Sequence, residues 1–277
     1  MATMTSPRVA GFLFDMDGVL YRGNRPLPGA RAMLNALQHR GIPFALVTNN
    51  TTRTPRQYVR HLASLGMRVP VSRIITSSMI TAEHLRKTLK PGARVLVIGE
   101  LALRRTVARA GFVVAWENVA AVVVGLDRRL TYRKLTRATE ALVRGAAFIA
   151  ANPDPLLPTA HGIIPGAGAA VEALAYATGR RPLVMGKPGT RLLRRAMANL
   201  GLRAAETAMV GDQLTTDIAA GRAVGAFTVL VEGGVGSVRP APRKAPTPDL
   251  KVRDLRELWR WAAGRIAPRR PPKTGRP

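Results

Sequence analysis

Four short segments of the chain carry side chains that could act together on a negatively charged group. The first is Asp15-Met16-Asp17-Gly18, two carboxylates two positions apart and then a glycine. The second is Thr48-Asn49-Asn50, a hydroxyl and two amides. The third is Lys187 within Gly186-Lys187-Pro188, and the fourth is Gly211-Asp212, with Asp217 five positions on. Carboxylates brought close together repel unless a cation lies between them, and a hard divalent ion takes oxygen ligands. A phosphoryl group bound to that ion needs donors on its other side, which Thr48 and Lys187 can supply. Each piece alone is an ordinary turn residue, and Asp is frequent in turns. What points to chemistry is their order at successive places of the same kind.

Those places are strand ends. Val9 to Asp15 is an apolar run ending in an acid, followed by a helical pattern over Ala30 to His39 with Ala30, Met33, Leu34 and Leu37 at helical spacing. Ile42 to Val47 is a second apolar run, then come a helix over Pro55 to Leu65 and a strand over Arg73 to Thr76. The middle of the chain alternates again. Strands are expected at Arg94 to Ile98, Val113 to Ala115, Ala121 to Leu126 and Ala147 to Ala151, and helices at Leu101 to Ala110 and Tyr132 to Arg144. Further strands are expected at Leu183 to Met185, Thr207 to Val210 and Thr228 to Val231. Apolar strands alternating with helices predict an α/β fold whose core is a Rossmann-like, doubly wound parallel sheet. Ligands in such folds bind outside the carboxyl ends of the strands, which is where the four segments lie. Arg239 to Pro248 is Pro-rich and reads as a linker. Val252, Leu255, Leu258, Trp259 and Ala262 share one helical face, so a last helix should dock on the core. From Gly264 the chain is basic and Pro-rich, and it is expected to be disordered.

Composition removes several function classes. With no cysteine among 277 residues, thiolate catalysis, thiolate metal sites and disulfides are excluded. The four histidines, His39, His61, His84 and His161, have no metal-ligand spacing. A metal would therefore be held mainly by oxygen, which points to Mg²⁺ or a similar hard cation. No apolar run reaches the roughly 20 residues of a membrane span, and Met1 to Ala10 lacks the zones of a secretory signal. A cytoplasmic protein is expected. The formal charge is +27, but the basic residues are scattered along the whole chain, without an aromatic-interleaved stretch or a nucleic-acid motif. They read as a solubilising surface and not as a specific nucleic-acid site. Gly186-Lys187 is followed by proline and lacks the upstream glycine of a P-loop. Gly166-Ala167-Gly168 reads as a helix start.

Taken together, the four segments resemble the motifs of the haloacid dehalogenase-like hydrolases. Asp15-Met16-Asp17-Gly18-Val19-Leu20-Tyr21 resembles the first motif, Leu46-Val47-Thr48-Asn49-Asn50 the second, Gly186-Lys187-Pro188 the third and Gly211-Asp212 through Asp217-Ile218 the fourth. The form of the second and third is similar to subfamily IIA, the NagD-like type. The resemblance implies a phosphatase acting on a small phosphomonoester through a covalent aspartyl-phosphate. It implies that Asp15 attacks phosphorus and that Asp17 protonates the leaving oxygen and then activates water. Asp15, Asp212 and the backbone carbonyl of Asp17 would bind Mg²⁺, with Asp217 holding a metal-bound water or orienting Lys187. Thr48 and Lys187 would stabilise the phosphoryl group, and Asn49 and Asn50 would bind phosphate or substrate. A phosphotransferase or mutase of the same superfamily, or a non-catalytic anion-binding module, is the alternative reading.

Spacing locates the part that selects substrate. Asp15 and Thr48 lie only 33 positions apart, which leaves room for one crossover, whereas Thr48 and Lys187 are 139 apart. One or two strand–helix units do not fill the second interval. An inserted α/β cap over 81–181 is therefore expected, with the catalytic core at 1–80 and 182–263 and a tail at 264–277. Asn152 and Asp154 follow a cap strand and are candidates to meet substrate hydroxyls. The expected partner is a small phosphorylated metabolite, with no membrane; copies of the chain could associate through the cap.

Overall fold

A computed structural model describes residues 8–159, 162–232 and 245–266. The chain enters through β1 (Gly11–Phe14), a short hairpin of β2 (Tyr21–Arg22) and β3 (Arg25–Pro26), α1 (Ala30–His39), β4 (Phe44–Thr48), α2 (Pro55–Ser64), β5 (Ile74–Thr76) and α3 (Ser77–Thr88). It continues through β6 (Arg94–Ile98), α4 (Leu101–Arg109), β7 (Val113–Val114), β8 (Ala121–Val124), α5 (Tyr132–Val143) and β9 (Ala147–Ala150). A hairpin of β10 (Leu156–Thr159) and β11 (Gly162–Pro165), α6 (Ala167–Thr178) and β12 (Leu183–Val184) follow. The last part holds α7 (Arg191–Leu200), β13 (Thr207–Gly211), α8 (Ala219–Val224), β14 (Phe227–Val231), β15 (Leu250–Val252) and α9 (Leu255–Ala262).

Six strands form one sheet in the order β15-β14-β13-β1-β4-β5, and every pair in it is parallel. The chain starts at the central β1, winds outward through β4 and β5, and returns on the other side through β13, β14 and β15. This is the doubly wound arrangement, and its switch point lies at the carboxyl ends of β1 and its two neighbours. Strands β1 and β4 are buried along their whole length, as strands covered on both faces must be. Helix α1 buries Ala30, Met33, Leu34 and Leu37, the four residues spaced for that face. Helix α9 buries Leu255, Leu258 and Ala262 against the same cluster.

A second parallel sheet, β12-β9-β8-β6-β7, forms the cap region. One continuous apolar cluster joins it to the core. It runs from Leu13, Val47 and Ile75 of the first sheet through Ile80 and Leu85 of α3 and Leu192 and Ala196 of α7 to Val97, Val123 and Ile149 of the second sheet. Helices α3 and α7 thus carry the packing between the sheets.

Two expectations are corrected. Leu183–Val184, read as a strand of the core, pairs with β9 in the second sheet. Two residues in an apolar run carry no mark of which sheet they join. Disorder was expected from Gly264, yet Val9 donates its N–H to the Arg265 carbonyl at 3.1 Å and bridges to Ile266. Residues 267–277, and all of the linker segment except 245–248, lie outside the described residues. No helix among the described residues is long and apolar enough to cross a membrane.

Candidate active site

Asp15 ends β1, with its N–H donating to the Val210 carbonyl of β13 at 2.9 Å. Lys187 lies far away in sequence, but its Nζ donates to Asp15 Oδ1 at 2.5 Å and to Asp217 Oδ1 at 2.6 Å. The ammonium is 2% exposed. Burial alone would push it toward neutrality, but the charges and hydrogen bonds of Asp15 and Asp217 outweigh burial and hold it above the ordinary lysine range. The other oxygen of Asp217 accepts the N–H groups of Asp212 and Gln213, each at 3.1 Å. Asp217 therefore ties Lys187 to the turn after β13.

Asp15, Asp212 and Asp217 are all buried, and each offers a carboxylate oxygen within 4.8 Å of the others. Burial drives the Asp15 carboxyl well above its ordinary range; Lys187 opposes this, and the charges of Asp217 and Asp212 add to it. A single lysine does not neutralise three clustered carboxylates. The donor set, all hard oxygen and nearly dry, fits a hard divalent cation. Two glycines keep the cradle open. A Cβ on Gly18, whose φ is +88°, would stand 2.3 Å from Asp212 Oδ2, and one on Gly211 would stand 2.1 Å from the Asp217 Cβ. Both approaches are closer than a side chain tolerates.

Asp17 faces a different environment. Burial raises its carboxyl above the ordinary range, while the Asn50 amide, the Arg53 charge and the Tyr21 hydroxyl pull the other way. Its Oδ2 accepts from Tyr21 at 3.4 Å and from Asn50 Nδ2 at 3.5 Å. That direction favours the protonated form, which suits a carboxyl that has to hand on a proton. Thr48 is buried at the end of β4 and its Oγ1 accepts the Asn50 N–H at 3.0 Å.

Asn49 does not offer its side chain to a ligand. Its Oδ1 accepts the Lys187 N–H at 2.7 Å, and its Nδ2 donates to the Lys187 carbonyl at 2.8 Å and to Asp154 Oδ1 at 3.0 Å. The carbonyl of Asn49 accepts from Asn152 Nδ2 at 2.7 Å and Ser77 Oγ at 2.9 Å. Asn152 is likewise occupied, since its Oδ1 accepts the Asp154 N–H at 3.2 Å. The amides of Asn49 and Asn152, read in the sequence as substrate contacts, bolt the cap loop and the Lys187 segment to the end of β4. Of the two cap candidates, Asp154 is the one beside the site with a titrating group. Burial raises its carboxyl to about 6 against the pull of Asn49 and Lys187.

Comparison with known proteins agrees with this geometry. Residues 12–113 match the family model described as haloacid dehalogenase-like hydrolase, and residues 184–258 match a second, HAD-hydrolase-like model. The chain is 40% identical over 225 residues to the 5'-nucleotidase YutF of Bacillus subtilis, covering 81% of this chain and 88% of that protein. It belongs to the haloacid dehalogenase-like hydrolases. The solved structure of NagD from E. coli superposes with a TM-score of 0.80 at 33% identity, covering 90% of this chain and 98% of NagD, in keeping with subfamily IIA. The glycerol phosphate phosphatase of Mycobacterium tuberculosis, solved in complex with calcium, gives 0.79 at 36% identity, covering 90% of this chain and 74% of that chain. As a haloacid dehalogenase-like hydrolase of this kind, the chain is an enzyme acting on phosphomonoesters.

Other residues at the haloacid dehalogenase-like site were not singled out in the sequence. Tyr58 donates to the Asn50 carbonyl at 3.2 Å, and Thr51 Oγ1 accepts the Leu126 N–H of the cap at 3.3 Å. Ser77 caps the Asn49 carbonyl from the start of α3. Tyr21 stood inside the first motif, but only its place in the hairpin brings its hydroxyl to Asp17. None of these carries a spacing signal, because each contact crosses between elements.

Proposed function

We propose that this chain is a Mg²⁺-dependent phosphatase that hydrolyses a small phosphomonoester through an aspartyl-phosphate on Asp15. The observation that carries the reading is the buried Lys187 bridging Asp15 and Asp217 beside Asp212. Asp15 and Asp212, with the backbone carbonyl of Asp17, would hold the cation. When bound, it supplies the charge neutralisation that lets a carboxylate approach an anionic phosphoryl group. An oxygen of Asp15 attacks phosphorus while the ester P–O bond breaks, and the proton of Asp17 passes to the leaving alcohol. Water then gives its proton to Asp17 and attacks phosphorus, and the bond to Asp15 breaks to release inorganic phosphate. Lys187 and Thr48 donate to the phosphoryl oxygens as charge shifts among them.

The organisation we propose puts chemistry in a core of 1–80 and about 185–263 and substrate choice in a cap of about 81–184. The second boundary follows the pairing of Leu183–Val184 with the cap sheet. Exclusion of water by the cap fits an intermediate that hydrolyses. The experiment is hydrolysis of para-nitrophenyl phosphate by wild type and Asp15→Asn, with Mg²⁺ and with EDTA. Turnover is expected with wild type and Mg²⁺ only, and Asp15→Asn should lose on the order of a thousandfold or more. Undiminished turnover in EDTA, or by Asp15→Asn, rules the mechanism out.

A further inference from the structure

Lys187 carries its charge on a flexible four-carbon stem, so chemistry that relies on that charge needs the side chain held at both ends. The far end is held by Asp15 and Asp217. Part of that hold goes in the reaction set out above, because Asp15 gives up its carboxylate charge when it takes the phosphoryl group. The near end is what stays in place. There the carboxamide of Asn49 takes both main-chain groups of Lys187, accepting from its N–H at 2.7 Å and donating to its carbonyl at 2.8 Å. Both residues are buried, and the two bonds come from one planar group. They therefore fix the direction in which the lysine leaves the backbone as well as its position.

Asn49 is itself fixed from three sides. Its Nδ2 also donates to Asp154 Oδ1, and its carbonyl accepts from Ser77 Oγ and Asn152 Nδ2. Gly186 makes the close approach possible. A Cβ there would stand 2.3 Å from Asn49 Oδ1 and 2.8 Å from the Ala151 carbonyl. The glycine before the lysine is thus the residue that lets the amide in.

We propose that Asn49 is a positioning residue for Lys187, aiming its ammonium at the phosphoryl group through both formation and hydrolysis of the aspartyl-phosphate. The inference rests on the phosphatase reading above and adds a residue to it. Asn49 acts through Lys187 and not on the substrate.

The test is a double-mutant cycle on Asn49→Ala and Lys187→Ala, with kcat and KM for para-nitrophenyl phosphate and Mg²⁺. Asn49→Ala should lower kcat about 10- to 100-fold, as a small misplacement of a catalytic group does, with KM within about threefold. In the Lys187→Ala background the same change should cost less than about threefold, since nothing is left to position. Orthovanadate affinity with Mg²⁺, read by calorimetry, repeats the cycle without turnover and should show the same pattern. Asn49→Asp keeps an acceptor for the Lys187 N–H but loses the donated bonds; it should also lower kcat, and it takes the place of Asn49→Ala if that variant does not fold. Thr228→Ala is the control for stability. It removes a buried hydroxyl bonded to Asp249 at 2.7 Å, and should lower the melting temperature without moving kcat. Full kcat in both Asn49 variants, or losses that multiply in the double variant, overturns the proposal while the phosphatase reading stands. Wild type inactive on para-nitrophenyl phosphate with Mg²⁺ would sink both.

Discussion

Asp154 shows how one side chain can tie the two sheet regions together. It sits in the loop after a cap strand, yet its carboxyl is bonded to Asn49 of the core, and Asn49 in turn grips both ends of the Lys187 peptide unit. Burial raises Asp154 from 3.8 to about 6, so the folded state favours the protonated form more than the unfolded chain does. Its contribution to stability is therefore largest below about 4 and is lost as pH rises through about 6. Asp154→Asn keeps an acceptor for Asn49 and cannot ionise. Relative to wild type it should gain on the order of 1–2 kcal/mol between pH 4.5 and 7.5, allowing for partial exposure of the group. Thermal melts of both proteins at the two pH values measure this; a gap that does not change with pH would show that Asp154 is not buried as a titrating group.

At the scale of elements, the turn after β1 is constrained twice over. Gly18 has φ +88°, where a side chain is strained, and a Cβ there would meet the Asp212 carboxylate. Gly18→Ala should cost about 1–2 kcal/mol of stability and, more tellingly, push Asp212 out of the carboxylate cluster. The Mg²⁺ concentration for half-maximal turnover should rise at least about tenfold, given the distance dependence of the lost contact. Titration of Mg²⁺ by calorimetry and by para-nitrophenyl phosphate turnover reads both effects. Unchanged metal affinity would mean that the cation does not rely on Asp212. The elements themselves were legible in the sequence because burial periodicity writes them there: α1 and α9 bury the residues their spacing marks. Leu183–Val184 was misassigned for the complementary reason, since two residues are too few to carry a period.

The whole molecule carries a formal charge of +27 around a site for an anion. Such a field raises the local concentration of anionic substrate and falls away as salt screens it. Between about 20 and 200 mM NaCl, kcat/KM for a phosphomonoester dianion should drop several-fold while kcat stays within about twofold. A salt-independent kcat/KM would mean that the basic surface plays no part in substrate capture. Core and cap also share an apolar layer through α3 and α7.

The sequence by itself determined the alternation of strands and helices, the mainly oxygen character expected of a metal site, and the order of Asp15, Thr48, Lys187 and Asp212. Those properties are local: they follow from residue type and from spacing within one element. Tertiary structure decided which groups meet. Lys187 reaches Asp15 across 172 positions and Asn49 reaches Asp154 across 105, and no pattern within a segment encodes either pairing. It also decided that the side chains of Asn49 and Asn152 are taken up by bonds within the protein. A side chain's hydrogen-bonding capacity is read from its type, but whether that capacity is already used depends on every neighbour the fold brings to it.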